Sequence, residues 1–370
     1  MSRIDKDDKV SLLAEDKDKH YNAEAESSPN MVLFSVLFYM VTSIVMVLVN
    51  KAVLNNTKAP LSFLWLQIIT AVFLLKASEL MGWMKLPPLD MSVCRRLMPL
   101  IGVNVVGLAV NTICLQEVDA SFYQVARALV LPLTVIFTWT ILKKPSSGRV
   151  ILTCGIVCAG FLTGTLDRSP GAVSLSGIIW GLASSVTTAF HSIVIKSSLD
   201  VVKGSTMDLV WYNNILSAVG LIPIVVLGGE VPTLYGLVAD ASAGSWGIGG
   251  LGDADGDTVG TIPTVQKSLS TQGIQVLLWG GFITGIFGFL INIAGFLQIK
   301  VTSPVTHMIS SAVRGVVQTA LAVVIFGDIV TTARGSGIFL ILVGSSLYAY
   351  VKSEESRTPP ASGLNGKSQV

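Results

Sequence analysis

Apolar runs long enough to cross a membrane dominate the chain. They lie near 32–50, 61–82, 97–116, 121–142, 149–166, 173–195, 208–228, 274–298, 304–326 and 333–351, and most are joined by short polar connections. About twenty apolar residues cross a bilayer as a helix. The pattern therefore predicts an all-α polytopic membrane protein, with ten transmembrane helices in one domain over 32–352. Polar segments 1–31 and 353–370 flank that domain and are expected to be disordered tails. The longest connection, 229–273, is glycine-rich and carries Glu230, Asp240, Asp253, Asp255 and Asp257, so it is expected to be a flexible surface loop.

Ten crossings bring both termini to one side. Lys and Arg favour cytosolic connections. The even-numbered gaps hold Lys76, Lys85, Arg95, Arg96, Lys143, Lys144, Arg149, Lys196, Lys203 and Lys300, against Lys51, Lys58, Arg168, Lys267 and Arg334 in the odd-numbered ones. Both tails are thus expected in the cytosol. The fourth and fifth spans share a plan with the ninth and tenth: a polar-led helix with one buried arginine, a short polar turn, then a glycine-containing helix. Five helices per half give halves of opposite orientation. That is the inverted repeat of many secondary transporters, whose sites lie near the midplane between the repeats.

Composition narrows the function classes. The 370 residues are 51% hydrophobic and 13% charged with a net charge of +2, and mean hydropathy is +0.68. These values argue against a water-soluble enzyme and offer no basic stripe for nucleic acid. Cys94, Cys114, Cys154 and Cys158 lack ligand spacing and are expected to be packing residues. Asp253-Ala254-Asp255-Gly256-Asp257 begins like a calcium loop, but Thr258 and Thr264 stand where glycine and glutamate belong. Gly250-Leu251-Gly252-Asp253 matches an intramembrane protease signature without its Tyr-Asp partner. No metal, cofactor or catalytic residue is assigned. The pattern Asn55-Asn56-Thr57 lies close to the membrane and is expected to stay unglycosylated.

Two arginines stand out. Arg127 and Arg314 lie deep in apolar spans, and the acidic residues within the span bounds, Glu79 and Asp208, stand at span ends, so none lies at mid-span. Arginine at the centre of a membrane helix costs about 2.5–3.5 kcal/mol on insertion scales, so it faces a cavity or a partner. A guanidinium fork suits phosphate, which makes a phosphorylated solute the expected ligand. Helix positions three or four apart share a face. His307, Ser311, Arg314 and Gln318 form one such stripe, and Tyr123, Arg127 and Thr134 another. Asn104 with Asn111, and Thr187 or Thr188 with His191, add shorter rows. The alternative for these neutral groups is to bond one another between helices, at about 0.6 kcal/mol each. Arg127 could also snorkel toward Glu117 or Asp119. In the seventh span, Trp211-Tyr212-Asn213-Asn214 combines two rings with two carboxamides, a set that can stack on a base and read its edge, or serve as an interfacial belt followed by packing asparagines.

The ten-helix plan, Phe122-Tyr123-Gln124-Val125-Ala126-Arg127, Trp211-Tyr212-Asn213-Asn214 and Gln298-Ile299-Lys300-Val301-Thr302-Ser303-Pro304-Val305-Thr306-His307 together resemble the Golgi nucleotide-sugar transporters of the drug/metabolite transporter superfamily, and among them the GDP-fucose group. The similarity runs over about 32–352. The resemblance implies that Tyr212, Asn213 and Asn214 meet the guanine base, with Trp211 in place of a phenylalanine. It further implies that Arg127 and Arg314 meet the phosphates. Tyr123, His191, His307, Ser311 and Gln318 are left to line the cavity or meet the sugar. GDP-mannose carriers have Gly-Ala-Leu-Asn-Lys where this chain reads Ser311-Ala312-Val313-Arg314-Gly315, and GDP-fucose carriers have lysine at Arg314. The expected activity is exchange of a GDP-sugar for GMP across the Golgi membrane, without a chemical step. Membrane lipid surrounds the carrier, and a homodimer is compatible with it. UDP-sugar or GDP-mannose carriage on the same fold is the alternative, and a lipid-binding membrane enzyme or scaffold the alternative from another class.

Overall fold

The computed structural model describes residues 29–143, 145–165, 174–245, 263–301 and 304–357. Their helices are α1 (Pro29–Asn56), α2 (Pro60–Leu80), α3 (Met91–Glu117), α4 (Ala120–Ala128), α5 (Val130–Leu142), α6 (Gly148–Thr165), α7 (Leu175–Ser198), α8 (Thr206–Leu227), α9 (Glu230–Ser245), α10 (Pro263–Val301), α11 (Pro304–Phe326) and α12 (Thr332–Arg357). Among the described residues nine segments are long and apolar enough to cross a membrane, with α4 and α5 counted as one, and a shorter apolar stretch, Ser310–Phe326, lies in α11. The ten-span, all-α pattern expected from sequence is therefore present.

Polarity runs inside out relative to a water-soluble protein. Phe73, Trp139, Leu152, Leu175, Trp279 and Phe339 face outward, whereas Ser43, Gln67, Asn104, Ser185, Gln298 and Gln318 are buried. Hydrocarbon on the outside rewards that arrangement, because polar groups there have no partner except the protein. Several hydroxyls fold back on their own helix: Thr42 donates to the Phe38 carbonyl at 2.8 Å and Thr284 to Gly280 at 2.6 Å.

The packing supports the repeat. The first span packs on the eighth as the sixth packs on the third; the second packs on the eighth as the seventh packs on the third; the fourth meets the sixth as the ninth meets the first. A shift of five helices turns each pair into its mate, as a two-fold axis in the membrane plane requires. The second and seventh, fourth and ninth, and fifth and tenth spans are mates that touch each other. Between α6 and α12 the backbones themselves meet. A Cβ at Gly160 would lie 2.7 Å from the Gly337 carbonyl oxygen, and one at Gly337 would lie 2.6 Å from that of Gly160, so neither position accepts a side chain.

Three features depart from the sequence reading. The fourth span is broken at Leu129. Pro132 has no N–H to give the Ala128 carbonyl, which loosens the preceding turn, and the Ser185 hydroxyl donates to the Ala126 carbonyl at 2.7 Å. The connection expected as a loop over 229–273 begins with helix α9, and its last part, from Pro263, continues as α10 into the eighth span. Glu230 explains the start: its carboxylate accepts from the Leu61 N–H at 2.8 Å, the Ser62 N–H at 2.7 Å and the Ser62 hydroxyl at 2.6 Å, capping α2. Residues 29–31 and 353–357, assigned to the tails, are helical. The remaining tail residues and the motifs over 250–258 lie outside the described residues.

Candidate functional site

Arg127 sits one turn past Tyr123 near the end of α4. Its Nη1 donates to the Tyr123 hydroxyl at 3.3 Å, and its guanidinium lies 5.8 Å from the centre of that ring. The Tyr123 hydroxyl donates onward to Asn111 Oδ1 at 3.4 Å. Asn111 Oδ1 also accepts from Ser184 at 2.5 Å, and Asn111 Nδ2 donates to Thr188 at 3.0 Å. The third, fourth and sixth spans thus orient Arg127 through neutral groups alone. Glu117 and Asp119 do not reach it; Asp119 pairs instead with Arg334.

Arg314 is 8% exposed on α11. Its Nη1 donates to Ser43 at 2.6 Å, its guanidinium lies 5.9 Å from the centre of the Tyr39 ring, and its Nε has no partner. Among the described residues no carboxylate lies within ion-pairing distance of either Arg127 or Arg314.

The two arginines, from mated spans, line one cavity of about 490 Å³. Gln124, Thr134, Ser311, Thr319, Ser345 and Tyr348 add polar wall, and none of the lining residues is acidic. The lining runs from Thr319 toward Thr134 and Tyr348, so the cavity extends toward the end of the bundle where α1 begins and α12 ends. Gln124 was missed by sequence reasoning as a site residue; its Nε2 is buried without a partner beside the arginines.

A second cavity of about 360 Å³ is lined by Asn214 of α8, Asn292 and Phe289 of α10, Thr206, Met84 and, again, Tyr39. Asn214 Nδ2 donates to the Val210 carbonyl at 2.8 Å and Asn292 Nδ2 to Gly288 at 2.7 Å. Each carboxamide oxygen and one N–H of each Nδ2 then remain for other partners. Tyr39 is a wall of both cavities, and its hydroxyl lies 3.3 Å from Ser311 Oγ. A solitary tyrosine in α1 and a solitary asparagine in the eighth span were the only signals for Tyr39 and Asn292.

The remaining candidates scatter. Ser311 is in the first cavity. Tyr123 stands behind Arg127, and Gln318 is fully buried with both amide atoms unpartnered, outside the accessible wall. His191 is half-buried on α7 with Nε2 unpartnered and lines neither cavity. The side chain of His307 is outside the described ones. Tyr212 is buried; its hydroxyl donates to the Pro88 carbonyl at 2.8 Å and accepts from the Asp90 N–H at 3.1 Å, pinning the connection before α3. Trp211 is buried beside it, and Asn213 keeps an unpartnered Oδ1. Of the Tyr212-Asn213-Asn214 block, the cavity receives Asn214.

A cavity with two arginines beside a largely apolar one with two carboxamides can bind an anion that carries a flat apolar part, and no described cluster of His, Cys, Asp or Glu could hold a metal. Comparison with known proteins agrees with a solute carrier. A GDP-fucose transporter of Caenorhabditis elegans is 30% identical over 88% of this chain and 83% of its own length. GDP-fucose transporter 1 of Dictyostelium discoideum is 30% identical over 87% and 81%, and that of Mus musculus 29% identical over 90% and 88%. The profile of the Triose-phosphate Transporter family matches residues 30–349, and the chain belongs to that family.

Proposed function

We propose that the protein is a nucleotide-sugar antiporter of the Golgi membrane that imports a GDP-sugar, GDP-fucose first among them, in exchange for GMP. The observation that carries this reading is the convergence of Arg127 and Arg314 on one cavity with no described carboxylate beside them. A diphosphate supplies the counter-charge, and two guanidinium groups can each engage it through paired N–H donors. The second cavity shares Tyr39 with the first, and in it Asn214 and Asn292 offer donors and acceptors and Phe289 a ring to a base. The named relatives support fucose as the sugar. Exchange follows from the same charges: two buried cations are costly to reorient across a bilayer without an anion.

Proteoliposomes containing the purified protein provide the test. Loaded with GMP, they should take up GDP-fucose far faster than empty ones, and faster than they take up UDP-galactose. Equal uptake by loaded and empty vesicles would remove the exchange mechanism, and a preference for UDP-sugars would remove guanine.

A further inference from the structure

The end of the bundle away from the start of α1 and the end of α12 is closed by a cluster of charges that the binding cavities do not use. Arg334, in the first turn of α12, is 1% exposed. Its Nη1 donates to the Ile329 carbonyl at 2.8 Å, to the Ser121 hydroxyl at 3.1 Å and to Asp119 Oδ2 at 3.4 Å. Asp328 Oδ2 accepts from the Ser121 N–H at 2.9 Å, capping α4. Beside them Lys51 is buried at the end of α1, with Nζ donating to the carbonyls of Leu115, Gln116 and Val118 at 2.9, 3.3 and 2.7 Å, the last turn of α3 and the residue after it. Side chains of the ninth–tenth connection thereby hold the tip of the third–fourth connection, one half of the repeat against the other.

These ties join the walls of the arginine cavity. Ser121 precedes Arg127 on the same short helix by about 9 Å of helix rise, and Asp328 and Arg334 bracket the connection between α11 and α12, both of which line that cavity. A solute leaving the cavity toward this end has to part α4 from α11 and α12. We infer that Asp119, Ser121, Asp328 and Arg334 are the gate of the carrier: a charge latch that is closed in this structure and opens once per cycle. The inference rests on the carrier reading above.

The latch is built to be broken, as a second carboxylate clamp at the same end shows. Glu230 caps α2 with three neutral donors and is itself buried. Opening that clamp strands a buried carboxylate that has no charged partner among the described residues. In the latch, the Asp119 side chain is 48% exposed and already meets solvent. The released Arg334 and Asp328 face the water that enters with the opening, so separation exchanges protein partners for water instead of abandoning them.

Sided labelling tests the gate without a substrate. Thr319, on the cavity wall toward the latch, is replaced by cysteine, and a membrane-impermeant maleimide is applied to vesicles of either orientation. With the latch intact, Thr319→Cys should react from the tail side and be protected from the other. Adding Asp119→Asn and Asp328→Asn should raise reaction from the protected side at least about tenfold, the shift expected when a two-state equilibrium loses about 1.4 kcal/mol of bias. Unchanged protection in that variant would overturn the inference. Should that variant fail to fold, Ser121→Cys with Asp328→Cys, bridged by a short reducible bis-thiol reagent, gives the converse. Bridging should stop GDP-fucose exchange, reduction should restore it, and GMP should still raise the melting temperature of the bridged form. Full exchange by bridged protein would equally sink the gate. Wild-type protein that moves no GDP-fucose would overturn the carrier reading instead, and the labelling would then decide the gate by itself.

Discussion

Arg314 and Arg334 are both buried in the second half of the chain, yet the protein furnishes them differently. Arg334 has a carboxylate, a hydroxyl and a backbone carbonyl within reach. Arg314 has one hydroxyl and the face of one ring, and its Nε is left without a partner in a cavity wall shared with Arg127. A buried cation completed by the protein stabilises an arrangement of helices. One left incomplete beside a second cation is a place for an anion that comes and goes.

Breaking each arginine should separate the two roles. Arg314→Ala should fold, since it removes a buried charge, and lose transport of every nucleotide-sugar; truncating one partner of a buried charge pair costs about 2–5 kcal/mol, a fall of about 30-fold to several thousandfold. Uptake of a sugar panel measures it, and a loss confined to one sugar would assign Arg314 to the sugar instead. Arg334→Ala should do the reverse. Stability should drop by about 1–3 kcal/mol because the Ser121 hydroxyl and the Ile329 carbonyl lose their buried donor, while GMP affinity in the recovered protein stays near wild type; a melting curve with and without GMP reads both.

How far this contrast was legible beforehand differs between the two residues. Arg314 was visible because it interrupts an apolar run. Arg334 and Lys51 fall at the edges of runs and look like ordinary connection charges; only tertiary packing buries them. Glu230 was hidden in the same way, its role set by α2, which lies far away in sequence. The spans themselves were plain, since length and apolarity are local properties. Convergence of Arg127 with Arg314 was only implied by the repeat, because it depends on the fourth and ninth spans touching. The interrupted turn at Leu129 has its signal in Pro132, which lacks the N–H for the Ala128 carbonyl. Tyr212 shows the opposite error of emphasis: a polar ring in a suggestive motif is held by Pro88 and Asp90, whereas Asn292, with no motif around it, faces a cavity.

Smaller changes sharpen the comparison. Asn214→Ala and Asn292→Ala should each weaken GMP binding by about 1–3 kcal/mol and narrow the preference for GMP over UMP. Competition of both nucleotides against labelled GDP-fucose is the measurement, and unaltered discrimination in both variants would move base recognition elsewhere. Ser43→Ala should have the least effect. It removes the one hydroxyl that holds Arg314, worth about 0.5–1.5 kcal/mol, and should raise the concentration of GDP-fucose needed for half-maximal exchange several-fold without lowering the melting temperature as Arg334→Ala does.

At Leu129 the hydrogen-bond ladder of the fourth span is interrupted while the backbone stays helical, with φ −64° and ψ −17°, and α4 carries Ser121 near its start and Arg127 near its end. Nine residues of helix measure about 13 Å. Tilting such a rod by about 10° moves its tip by about 2 Å, as much as is needed to part a hydrogen bond of normal length. Flexing at that interrupted turn would carry a pull on the Arg127 guanidinium to the Asp328 and Arg334 contacts at the other end of α4. The proline costs the fourth span one hydrogen bond at the turn where its first third meets the rest.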